Sequence, residues 1–236
     1  YEVFGYHLLN LIIHILGGIS VFLLVLQFFR TPALSKSNLK DHRYAMAFFV
    51  ALIFLTHPLQ TQGVTYIVQR MTSMAAMFYV LALFFYAEAR IAFLQNHTKS
   101  RIVLWFALAG VASVASLLSK QIAATLPLTF ILYEICFIRK KEGGLYKNYL
   151  MVMSSALLLF LILVAAFGLI PAETKNISRI DYLFTQFRVI AKYLQLLVLP
   201  VNQNLDYDFA LSHSFFDVNV ILSLALLLML LVVGAV

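Results

Sequence analysis

Long apolar runs divided by short polar stretches set the pattern of this chain. The first run, about Leu8 to Phe29, holds enough residues to cross a bilayer as a helix, for which about 20 are needed. A polar stretch from Arg30 to Arg43 follows. A short second run, about Tyr44 to Thr56, stops at His57-Pro58, because proline cannot continue a helix. The third is long, about Val64 to Phe93, and its first turns are polar (Gln69, Arg70, Thr72, Ser73), which places Arg70 about two turns inside it. A fourth, about Ile102 to Leu118, is broken by Ser119-Lys120-Gln121, and a fifth continues from about Ile122 to Ile138. A sixth covers about Tyr149 to Ile170 and ends at Pro171. The last begins near Val218.

The mixed segment Tyr182 to Leu199 is different. Arg188 and Lys192 stand four residues apart and share one helix face. The segment either spans or lies as an amphipathic or re-entrant helix at the interface; the second fits better. If it spans, the following loop, with Asp206, Asp208 and Asp217 and no basic residue, falls on the side where basic residues are expected. The expectation is an all-α polytopic membrane domain over residues 1–236, with about seven spans and one interfacial or re-entrant helix.

Composition agrees. Of 236 residues, 63% are hydrophobic and 11% charged, against about 45–50% and about 25% in soluble domains. Only helices and closed barrels satisfy their backbone groups in lipid. Continuous apolar runs without two-residue alternation favour helices. Cys136 is the only cysteine, so no internal disulfide can form.

The net charge of +7 reads as a topology signal, not as a nucleic-acid footprint. With the start of the first span outside, eleven of the 17 basic residues fall in cytoplasmic loops: Arg30, Lys36, Lys40, Arg43; Arg90, Lys99, Arg101; Arg139, Lys140, Lys141, Lys147.

Polar groups then gather on the outer side. His57-Pro58, Arg70, Lys120 and Gln121 meet there, and Asp206, Tyr207, Asp208 and His213 lie in the last outer loop. Each has a plain alternative. His57-Pro58 can simply end a helix, Arg70 and Lys120 can snorkel to headgroups, and the acidic loop can be solvated. Two outer cations against the positive-inside trend still suggest a bound anion such as a lipid phosphate. No metal site is indicated: two aspartates two residues apart are a weak signal without further ligands. Phosphate-loop, HExxH and paired CxxC patterns are absent.

Several segments, in order, resemble a known family: Phe4-Gly5-Tyr6-His7-Leu8-Leu9-Asn10 with His14; His57-Pro58 with Thr61 and Arg70; Ser119-Lys120 before Ile122-Ala123-Ala124-Thr125; and Tyr193 to Pro200 followed by Asn204-Leu205-Asp206-Tyr207. The chain resembles the membrane half of the transmembrane and tetratricopeptide-repeat O-mannosyltransferase-like proteins of bacterial type. These are class C glycosyltransferases related to the protein O-mannosyltransferases. The resemblance implies transfer of a mannose-like sugar from a polyprenyl-phosphate donor to an acceptor hydroxyl, of protein or glycan, at the periplasmic face of the bacterial inner membrane. It implies no other cofactor. Arg70, Lys120 and Arg188 are expected at the donor phosphate, and His57, Gln121, Asp206, Tyr207 and Asp208 around the pocket. The family usually carries its catalytic acid in the first outer loop, which is expected upstream of Tyr1; Glu2 is not assigned that role. A glutamate is usual where this chain has Gln121. The chain therefore reads as an inactive piece of a longer protein, with tetratricopeptide repeats expected beyond Val236. A transporter or flippase for lipid-linked sugars is the competing reading. It would favour ionisable groups near the bilayer midplane and paired helix breaks, neither of which is evident.

Overall fold

The computed structural model describes residues 4–138, 178–204 and 207–235. These residues are helical with no strand. They form α1 (Phe4–Phe28), α2 (Arg43–Thr56), α3 (Thr61–Thr65), α4 (Arg70–Leu94), α5 (Lys99–Ser119), α6 (Leu126–Tyr133), α7 (Arg179–Val198) and α8 (Val218–Ala235). Four segments are long and apolar enough to cross a membrane: Phe4–Phe28, Ile67–Leu94, Lys99–Ser119 and Gln121–Ile138. A fifth is possible if Asn38–Thr56 and Pro58–Thr65, bent by 50°, count as one broken span. Val218–Gly234 is apolar but shorter, and α7 is not among the candidates. The expected span at 149–170 lies outside the described residues.

The chain divides into two compact units, Tyr1–Leu163 and Val164–Val236. In the first, α4 is the central helix and packs on α1 and α5. Helix α1 runs alongside α4 in the same direction, with Tyr6 near Arg70 at one end and Arg30 bonded to Glu88 at the other. Helix α5 runs back: Ser116 Oγ donates to the Ala75 carbonyl at 2.8 Å, and Trp105 stacks on Phe85. The turn between them is tight because Asn96 takes a left-handed conformation, φ 54°. This lets His97 N–H reach the Ala92 carbonyl and Asn96 N–H the Phe93 carbonyl, a Schellman ending for α4.

The packing places small residues inside and large ones outside. Ala47, Ala75, Ala82, Ala87, Ala89, Ala109, Ala112 and Ala123 are buried, as are Gly17, Gly18 and Ser116. Phe48, Phe49, Ile53, Val103, Val111 and Leu118 are exposed. In water this surface would drive aggregation. In lipid, helices associate by close backbone approach at small residues, and the large apolar side chains meet acyl chains. The arrangement is compatible with an integral membrane protein.

A buried ionic lock ties α4 to α6. Glu134 opens a π-helical turn, Glu134–Ile138, that continues α6. Its carboxylate accepts from Arg90 at 2.5 Å (Nε) and 3.0 Å (Nη2), and from the Tyr86 hydroxyl at 3.0 Å. Aromatic rings close around it: Tyr86 stacks on Phe130 at 4.4 Å and Phe28 on Phe137 at 4.4 Å. Arg90, expected among the loop cations, is instead inside α4 and buried. It stands four residues from the end of the helix, about 6 Å of helical rise.

In the second unit, α7 begins with a Ser178 cap, whose hydroxyl accepts from Asp181 N–H at 3.2 Å. It packs on α8. The loop between them is held to α7 by Thr185, Arg188 and Asp181.

Candidate functional site

The alternating helices bring one set of ends together: the start of α1, the end of α2, the start of α4, the end of α5 and the beginning of the Gln121–Ile138 segment. His57 is the residue at the bend after α2. Its Nδ1 accepts from Leu59 N–H at 3.2 Å, and Pro58 opens a short 3₁₀ turn behind it, as the His-Pro pair suggests. The chain then returns to the bundle through α3. Asn10 Nδ2 donates to the Val64 carbonyl at 3.2 Å, and Ser73 Oγ donates to the Gly63 carbonyl at 3.2 Å. These two bonds fasten the 61–66 segment to α1 and α4. His14 secures the end of α2 in the same way, bonding the Leu55 carbonyl at 3.0 Å and stacking on Phe54.

Arg70 is the first residue of α4, not two turns inside it. The residues before it fold as α3 and a 3₁₀ turn, Ile67–Gln69, in place of two further turns of the long helix. Its guanidinium lies 5.8 Å from the centroid of the Tyr6 ring, a cation–π contact that orients it across the end of α1. Lys120 occupies the extended break between α5 and the next segment, φ −160° and ψ 141°. Its Nζ donates to Thr72 Oγ1 at 2.7 Å, and Thr72 in turn donates to Gln69 Oε1 at 2.7 Å. Thr72 is two residues after Arg70, so the two cations flank the first turn of α4. Gln121 follows as the exposed first residue of a 3₁₀ turn, Gln121–Thr125.

The electrostatics of this end are one-sided. Among the described residues of the unit, the carboxylates Asp41, Glu88 and Glu134 all belong to the opposite end. Gln69 makes no side-chain cap bond to α4, and Arg70 N–H is bonded to the Ile67 carbonyl of the preceding 3₁₀ turn, so the positive charge at this end comes from the Arg70 and Lys120 side chains. Arg70 lies on the α1 side of this turn and Lys120 is bonded to Thr72, and each cation can donate to an anion at this end. No group of three or more His, Cys, Asp or Glu among the described residues could hold a metal.

The remaining expected residues belong to the second unit. Arg188 Nη1 donates to the Ala210 carbonyl at 3.0 Å and to Ser212 Oγ at 2.8 Å, so it organises its own loop. Tyr207 donates to the Asn202 carbonyl at 2.9 Å and accepts from Asn204 N–H at 3.1 Å. Asp208 is exposed. Asp206 lies outside the described residues. His213 and Asp181 pair at 2.6 Å, a contact that spacing in sequence does not reveal. Thr72 is the residue whose role sequence reasoning understated: its polarity is visible, but its bond to Lys120, 48 positions away, is not.

No protein-family model, curated protein or solved structure matches this chain.

Proposed function

We propose that the chain is the membrane part of a glycosyltransferase that moves a mannose-like sugar from a polyprenyl-phosphate carrier to an acceptor hydroxyl, of protein or glycan, at the outer membrane face. The observation that carries the reading is that Arg70, against Tyr6, and Lys120, bonded to Thr72, stand at the same end of the helices, where the described residues include no carboxylate. In this reaction the bond between sugar C1 and the carrier phosphate breaks. A bond from the acceptor oxygen to C1 forms, and the acceptor proton passes to a carboxylate base. The carrier phosphate leaves with an added negative charge. Cations already held in place are suited to stabilise that charge as it develops. Arg70 and Lys120 take this role, Thr72 positions the Lys120 ammonium, and His57 shapes the edge of the pocket. The family resemblance puts the base in an outer loop upstream, and the donor lipid would approach between the apolar outer faces of the helices.

A flippase or transporter for the same lipid is the second reading, and the buried Arg90–Glu134 pair is the observation in its favour, since ionisable groups in spans often mark a transport path. Against it, the pair is fully bonded and sits near a helix end.

The test is transfer of labelled sugar from a polyprenyl-phosphate donor by the full-length protein in proteoliposomes. Arg70→Ala and Lys120→Ala are expected to abolish transfer while leaving thermal unfolding unchanged. Turnover at the wild-type rate in both variants removes these residues from the mechanism.

A further inference from the structure

At the opposite end of the first unit, a groove of about 240 Å³ opens between α1, α2 and α4. Its polar rim holds Gln27, Arg30, Arg43 and Glu88, and Leu23 and Phe84 form apolar wall below. Gln27 is 2% exposed. Its Oε1 accepts from Arg30 Nη1 at 2.8 Å, but its Nε2, also buried, has no partner. A buried amide donor without a partner is unfavourable, and although Nε2 itself is closed off in this conformation, the Gln27 side chain lines the groove.

The charges around it are unequal. Arg30 Nη1 also donates to Glu88 at 2.7 Å, so the only carboxylate on the rim among the described residues is already paired. Arg43 has no such partner among its described contacts: Nη1 donates to the Lys40 carbonyl at 3.2 Å, and the guanidinium lies 4.7 Å from the Tyr44 ring centroid. Among the described residues the rim thus carries one cation without an acidic partner, one unused amide donor and no free carboxylate. We infer that this groove binds the phosphate of an anionic phospholipid, with Arg43 as the donor on the rim, Gln27 Nε2 joining it when its side chain turns into the groove, and an acyl chain along Leu23 and Phe84.

Three features favour a phospholipid as the occupant. Two of the helices around the groove, α1 and α4, are apolar and long enough to cross a membrane, and the groove opens at the ends where the basic residues Arg30, Lys36, Lys40, Arg43, Lys99 and Arg101 collect. That side is the cytoplasmic one by the positive-inside rule, and its leaflet carries anionic headgroups. The apolar wall beneath the rim would be useless to a soluble anion. A zwitterionic headgroup adds an ammonium, for which Glu88 is already occupied. The site is separate from the Arg70–Lys120 end and does not depend on the function proposed for it.

Lipid binding to the purified full chain in detergent, followed by native mass spectrometry and thermal shift, tests the inference. The probes are phosphatidylglycerol, phosphatidylethanolamine and inorganic phosphate. Phosphatidylglycerol is expected to bind and raise the unfolding temperature. Gln27→Glu keeps the acceptor for Arg30 but replaces the free donor with negative charge. It and Arg43→Gln are each expected to weaken phosphatidylglycerol binding about tenfold, the effect of losing roughly one charge-assisted hydrogen bond. Equal binding of phosphatidylethanolamine, equal response to inorganic phosphate, or unchanged binding in Arg43→Gln would each overturn it.

Discussion

Glu134→Ala is the perturbation with the largest expected effect on stability. The Glu134 side chain is 0% exposed and the Arg90 side chain 8%. Truncation removes the acceptor of two Arg90 bonds and of the Tyr86 hydroxyl. The guanidinium is then left charged in an apolar ring cluster, and breaking a buried pair from one side costs about 3–5 kcal/mol. Removing both charges is a different case, because no unpaired ion remains. Arg90→Leu with Glu134→Leu is expected to recover most of the loss, since buried pairs replaced by apolar residues are often neutral. Trp105, the only tryptophan, stacks on Phe85 beside Tyr86 with centroids 5.8 Å apart, so its fluorescence reports on this cluster. Denaturant unfolding in mixed micelles, read by Trp105, gives the three stabilities. A loss below about 1 kcal/mol for Glu134→Ala, the level of an exposed pair, refutes the reasoning. So does a double variant no more stable than the single one.

Two further perturbations separate packing from positioning. A Cβ on Gly18 would meet Leu55 Cδ2 at 2.5 Å and Cγ at 2.6 Å, whereas on Gly17 the nearest atom is Phe54 Cε1 at 3.5 Å. Gly18→Ala is therefore expected to cost about 1–3 kcal/mol by overpacking, while Gly17→Ala stays near neutral in the same unfolding assay; equal effects contradict the close α1–α2 contact. Thr72→Val removes the hydroxyl that holds Lys120 but not the charge. Sugar transfer is expected to fall about tenfold, the equivalent of one hydrogen bond, less than in Lys120→Ala, and a loss as complete as that of Lys120→Ala would make Thr72 more than a positioning residue.

The helices were legible where the signal was local. The apolar run at Leu8 to Phe29 matches α1 closely, and the stop at His57-Pro58 matches the end of α2. The break at Ser119-Lys120-Gln121 also appears where the polar residues predict it. What was not legible depends on distant partners. Val64 to Gln69 is apolar enough to read as the start of a long helix, but bonds from Asn10 and Ser73 fasten the preceding turn and delay α4 until Arg70. Glu134 gives no local hint that its partner is Arg90, 44 positions earlier. A lone acid in an apolar run should itself prompt a search for an internal cation. Arg188 looks like an anion ligand in sequence, and only the structure shows that its Nη1 is given to Ala210 and Ser212.

The proposal stands on phosphate capture by the Arg70–Lys120 end. Equilibrium binding of polyprenyl phosphate to the purified protein, without sugar or acceptor, measures that step alone. Arg70→Ala combined with Lys120→Ala is expected to lower affinity at least a hundredfold, two charge-assisted contacts at about 1.5–3 kcal/mol each. Wild-type affinity in a folded double variant would show that the carrier phosphate is held elsewhere.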